Sequence, residues 1–172
     1  MSSPSVKPLR LAAALSLCLA LAGCLQPLYG PQVAGGAISS DLMAIHVVPI
    51  AGREGHYLEN ELRFGLNGTG TPQAARYTLY VGLQQYLQSP LVDTVTGYPS
   101  SGTLAAVAEY TLSPAGGGDP IVKGVVRAQS SYDRFSQRYA NLRASRDAEI
   151  RNARLLAQQI RANIAAAFAS KG

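Results

Sequence analysis

Tryptophan is absent from this chain, and cysteine, histidine and methionine each occur only twice. Two cysteines cannot hold a disulfide-rich scaffold. His46 and His56 stand ten positions apart, with no serine, cysteine or carboxylate at motif spacing to either, so no acid–base or metal-binding constellation is legible. Charged residues make up 15% of the 172 positions and aromatics 7%, yet 47% are apolar, which is enough for one packed core. That balance excludes disorder of the chain as a whole, because low hydrophobicity and high net charge are both missing. GxSxG, Walker and HExxH patterns are absent, and Gly116-Gly117-Gly118 lacks the Lys-Ser/Thr step that a phosphate loop requires, so it reads as a turn. Neither enzymatic activity nor a cofactor or metal is expected.

The N-terminus carries an address. Met1–Arg10 is polar and holds Lys7 and Arg10 without an acid, and Leu11–Ala20 is an apolar run. Ten residues are half of what a membrane span needs and suit the hydrophobic part of a secretory signal. The run ends in Leu21-Ala22-Gly23-Cys24, which resembles a bacterial lipobox, so residues 1–23 read as a lipoprotein signal peptide and Cys24 as the acylated residue. Two or more acyl chains on Cys24 would hold the protein durably on a membrane. Leu25 follows, where an Asp commonly retains such lipoproteins at the inner membrane, and this favours the outer membrane with the protein facing the periplasm. Removal of residues 1–23 lowers the formal charge from +5 to +3, so the basic balance is not a nucleic-acid signal. What remains is lopsided: residues 24–122 hold three bases and seven acids, and residues 123–172 hold ten bases and three acids. The basic half either faces an anionic partner or balances the acidic half.

Residues 24–41 are rich in Gly and Pro and read as a tether, with a single α/β domain over 42–172. Ala44–Ile50 is a short β-branched run that predicts a strand, and Leu58, Leu62 and Leu66 at steps of four predict a helix over Gly55–Asn67. In Arg76–Leu87 the odd positions Tyr77, Leu79, Val81, Leu83 and Leu87 alternate with wetter even ones, which predicts a strand with one buried face. Thr103–Leu112 repeats the pattern, and Ile121–Ala128 follows a Gly-rich turn as its hairpin partner. From Ser136 to Ala169 the period becomes 3.6, with Ile150, Ala153, Ala157, Ile160, Ile164 and Phe168 on one stripe and an arginine-rich stripe opposite. The order β-α-β-β-β-α predicts an α+β two-layer sandwich, both helices on one face of a four-stranded sheet.

Lys123 and Arg127 are four apart on a strand, so they share a face about 13 Å apart, and Arg76 is a third cation for that face. Such groups are either solvated or ion-paired surface charges or a recognition site for a phosphate-bearing ligand. Tyr80 and Tyr86 fall on the same wetter face, as sheet decoration or as interface residues.

Gly23–Gly30 (GCLQPLYG), Ile45–Leu66, Arg76–Leu83 (RYTLYVGL), Ala108–Leu112 (AEYTL) and Tyr139–Ile160, in that order behind a lipobox, resemble the LptE family of lipopolysaccharide-assembly lipoproteins. The resemblance implies two helices on a four-stranded sheet. It also implies a non-enzymatic outer-membrane subunit that plugs the β-barrel LptD, helps it assemble and contacts lipopolysaccharide. Lys123 and Arg127 match basic positions of the corresponding family strand, whereas the stretch 96–108 carries no base. The alternative reading is an auxiliary periplasmic lipoprotein of a phospholipid transport complex.

If Cys24 is the attachment site, mass spectrometry of the mature N-terminus will find an acylated Cys24. Cys24→Ala will leave the precursor uncleaved by the lipoprotein peptidase. An unmodified terminus elsewhere overturns the assignment.

Overall fold

The computed structural model describes residues 40–68, 73–88, 100–134 and 136–170. The signal peptide, Cys24 and the tether up to residue 39 lie outside these. A helical turn at 40–43 leads into β1 (Ile45–Val47), α1 (Gly52–Asn67), β2 (Tyr77–Gln88), β3 (Ser101–Pro114), β4 (Val122–Asp133) and α2 (Arg138–Ala169). The strands form one sheet in the order β1-β2-β3-β4, with β1 parallel to β2 and the other pairs antiparallel. Both helices pack on the same face, which gives the expected two-layer α+β sandwich.

The β1 strand is shorter than the run Ala44–Ile50 from which it was expected. Val48 N–H donates to the Leu79 carbonyl at 3.0 Å as the last rung, and Pro49 has no N–H to continue the ladder. Ile50 N–H turns instead to the Glu59 carboxylate at 3.2 Å. Gly52, at φ 85°, then opens α1 three residues before the predicted start. Gly55 packs so closely under Ile50 that a Cβ would sit 2.7 Å from the Ile50 carbonyl oxygen, so a side chain there is excluded. Leu58, Leu62 and Leu66 are buried as their spacing requires, and Gly68 N–H closes the helix on the Phe64 carbonyl at 2.8 Å.

The central hairpins fix which face is core. Leu79 opposes Leu112, Leu83 opposes Ala108, and Ala106 opposes Ala128 across the ladders, and these side chains point toward the helices. Ala106, Ala108 and Ala128 on the sheet and Ala148, Ala153 and Ala157 on α2 are all buried, and small residues on both elements let helix and sheet approach closely. The Tyr110 ring crosses above Gly124, where a Cβ would lie 2.8 Å from its hydroxyl oxygen. β4 is an edge strand, and its odd-numbered residues aim their peptide groups outward. Two of those carbonyls are taken by the covering helix: Gln159 donates to Arg127 O at 3.2 Å and Arg151 to Ser131 O at 2.8 Å. Capped acceptors make that edge a poorer template for another strand.

The buried stripe of α2 includes Ala153, Ala157, Ile160 and Ile164, whereas Ile150 and Phe168 are half-buried. In their place the helix buries Leu156 and two polar residues, Glu149 and Asn152. Asn152 is fully buried, accepts from the Ser130 hydroxyl at 2.7 Å and donates to the Leu104 carbonyl at 2.9 Å. It pins the middle of α2 to both β3 and β4. Among the described residues no helix is long and apolar enough to cross a membrane.

Asn152→Ala should therefore cost about 2 kcal/mol, because the Ser130 hydroxyl loses its acceptor in a closed interior. Arg151→Ala, which removes a half-exposed pair with Asp147, should cost about 1 kcal/mol or less. Urea unfolding of the two variants beside the parent measures both values.

Candidate functional site

Among the described residues, one face of the sheet carries no helix. Reading across β2, β3 and β4, its rows are Tyr80–Thr111–Lys123, Gly82–Glu109–Val125, Gln84–Val107–Arg127 and Tyr86–Ala105–Gln129. His46 extends the surface onto β1 beside Thr78 and Ser113. The central strand contributes mostly small residues, and Ala105 and Thr103 are buried between their neighbours. The flanks stand proud: Tyr80, Tyr86 and Val125 are each about half exposed, at 54%, 50% and 48%. The result is a shallow, mixed surface of tyrosines, small side chains and two cations. No group of three or more metal-ligating side chains occurs among the described residues. His46 is exposed on β1, and His56 Nε2 lies 3.1 Å from Asn60 Nδ2 on α1, so the two histidines share no site.

Lys123 and Arg127 lie on this bare face, exposed, in alternate rows. Neither forms an ion pair among the described residues. The Glu109 row lies between theirs, so its carboxylate is diagonal to both, a separation of roughly 7–8 Å between backbones. Arg76 is placed differently from the three-cation grouping expected of it. It precedes β2, pairs with Asp41 at 2.5 Å, and its guanidinium lies 5.6 Å from the centre of the Tyr77 ring. Asp41 belongs to the helical turn before β1 and is far from Arg76 in sequence, which is why no pattern announced the pair.

The arginine stripe of α2 is more than a solvated face. Arg154 reaches Glu61 on α1 at 3.5 Å, Arg161 donates to the Gly65 carbonyl at 3.1 Å, and Arg151 holds both Asp147 and the β4 edge. From the other side, Arg53 forks onto the buried Glu149 at 2.7 and 3.2 Å. The hydrogen bonds to Glu149 and then its charge hold the Arg53 guanidinium above its ordinary pKa. These contacts latch the two helices together. Where the helices part, a groove of about 250 Å³ opens between Phe64, Gly65, Arg154 and Arg161.

No family model matches the chain, and no curated protein matches it in sequence. Solved structures do. A candidate lipoprotein from Caulobacter crescentus CB15 superimposes with a TM-score of 0.63 at 25% identity, over 76% of this chain and 95% of that one. A minor lipoprotein from Acinetobacter baumannii gives 0.55 at 18% identity, over 72% and 92%. The rare lipoprotein B from Shewanella oneidensis gives 0.45 at 15% identity, over 74% and 94%. The fold is thus one found among bacterial lipoproteins, and the chain spans nearly the whole of the first two.

Proposed function

We propose that this chain is a non-enzymatic outer-membrane lipoprotein, anchored through Cys24 and facing the periplasm, of the LptE type. On this reading it assembles with the β-barrel LptD, plugs it, and assists lipopolysaccharide transport to the cell surface. The observation that carries the reading is the helix-free sheet face. It offers two tyrosines, Val125 and a floor of small residues, with Lys123 and Arg127 free of ion pairs among the described residues. A plug must match the wall of its barrel over a large area, and obligate interfaces of that kind run to about 2,000 Å² or more. The lipobox, the ordered segments that resemble the LptE family, and a fold shared with lipoproteins all support the same assignment.

Within that surface Lys123 and Arg127 are the groups for lipid A phosphates, while Arg76 is engaged by Asp41. Capture of the tagged protein from detergent-solubilised membranes should bring down a large β-barrel. Recovery of an inner-membrane ATPase complex instead would favour an auxiliary role in phospholipid transport.

Lys123→Glu combined with Arg127→Glu should weaken lipopolysaccharide binding about tenfold or more at low salt, at ~1 kcal/mol per exposed charge contact. The fold should remain intact, because both side chains leave the core face. The difference between parent and variant should shrink as salt is added. Equal affinities at both salt concentrations would make the two residues plain surface charges.

A further inference from the structure

Among the described residues, the start of α2 extends beyond α1 and the end of β4. Three contacts set the two helices in register: Arg53 on Glu149, Arg154 on Glu61 and Arg161 on Gly65. The helices therefore run in the same direction, and α1 begins level with residue 149. The preceding part of α2, from Arg138 to Ala148, extends past α1 by roughly 16 Å at 1.5 Å per residue. The sheet covers little of this length. Arg151 touches Ser131, and β4 ends two residues later, about 7 Å further on. From Arg151 back to Arg138 the helix runs about 20 Å.

One side of this overhang is half-buried through Asn141, Ala144 and Ser145. The other side, at spacings of three and four, carries Arg138, Tyr139, Leu142, Arg143 and Arg146. Tyr139 is 71% exposed and Leu142 46%. The three arginines have no ion pair or side-chain hydrogen bond among the described residues. Most other arginines of the domain are engaged: Arg53, Arg63, Arg76, Arg151 and Arg154 each hold a carboxylate. The first turn of α2 has no acidic residue, so its cations stand unbalanced beside the positive end of the helix. Uncompensated arginines around an exposed aromatic and an exposed leucine are the arrangement of a helix that lies in a headgroup layer. There the guanidinium groups meet phosphates while the stems and rings sink beneath them.

We propose that the overhanging start of α2 docks on an anionic lipid surface, with Arg138, Arg143 and Arg146 on headgroup phosphates and Tyr139 and Leu142 in the layer below. This goes beyond the plug reading and uses none of its residues. Lys123 lies near the start of β4, whereas α2 begins just after the end of that strand.

The test uses the mature chain, residues 24–172, with Cys24→Ala in every arm, so that neither an acyl chain nor the apolar run of an uncleaved signal peptide dominates. It is mixed with vesicles of phosphatidylcholine alone or with about one-third phosphatidylglycerol. Amide hydrogen exchange over residues 138–146 should slow on the anionic vesicles only. Arg138→Gln, Arg143→Gln and Arg146→Gln together should lower affinity for those vesicles roughly 100-fold, about fivefold per arginine. The matching triple lysine variant should bind within a few-fold of the parent, which separates loss of charge from loss of fold. Tyr139→Ser with Leu142→Ser should remove the binding that survives high salt. Three results overturn the proposal: unchanged exchange over 138–146, the glutamine variant binding like its parent, or the lysine variant losing as much affinity as the glutamine one. The last would point to shape-specific recognition by a protein. Lipopolysaccharide binding through Lys123 and Arg127 and capture of a barrel are independent of each of these outcomes.

Discussion

Burial of one sheet face beneath a single layer of helices is the constraint from which the other features follow. Period-two alternation on β2, β3 and β4 puts Leu79, Leu112, Ala106, Ala108 and Val126 on one side, and α1 and α2 are amphipathic enough to cover that side only. A four-stranded sheet this small closes one core. Its second face then has to be tolerable in water, and the chain meets that demand with a central strand of small residues flanked by glutamines, threonines and tyrosines. Tolerable is not inert: Tyr80, Tyr86 and Val125 keep about half their surface exposed, which suits a surface that a partner can cover without unfolding anything.

The helical layer is held from within by polar groups as much as by leucines. A buried asparagine is costly unless both ends of its amide are used, and Asn152 uses one on Ser130 and the other on Leu104. Glu149 is tolerated at the same depth because Arg53 meets both of its oxygens. These two residues set the rotation of α2 about its own axis. A purely apolar stripe of alanines and isoleucines would leave that rotation less defined, because alanine contacts are nearly equivalent on adjacent turns.

Charge in this domain falls into two populations. The carboxylates of Asp41, Glu59, Glu61, Asp147 and Glu149 are matched with arginines that tie the turn, the helices and the β4 edge together. Among the described residues, the cations without a carboxylate partner include Lys123 and Arg127 on the bare sheet and Arg138, Arg143 and Arg146 at the start of α2. Part of the basic C-terminal half balances the acidic half, and part of it has no counterion among the described residues. On the proposed reading of a lipid-anchored protein at an anionic surface, one population serves the protein's own cohesion and the other its surroundings.

Most of the architecture was legible in the residues. Leucines at steps of four placed α1, alternation placed the three long strands and their core face, and the 3.6 period placed α2, because these periodicities are imposed by backbone geometry before any tertiary contact forms. Lys123 and Arg127 were assigned correctly to the helix-free face for the same reason. Position along a strand fixes the side a residue occupies. Pattern could not say that α2 would bury Glu149 and Asn152, since their partners Arg53, Ser130 and Leu104 lie 22 to 96 positions away. It could not separate Arg76, neutralised by Asp41, from the two cations left free, nor turn a solvated-looking arginine stripe into a set of latches. Periodicity by itself determined the elements and their faces. Which charges are spent inside the fold and which remain outward was decided only when distant segments met, because pairing depends on distance in space and sequence order does not specify it.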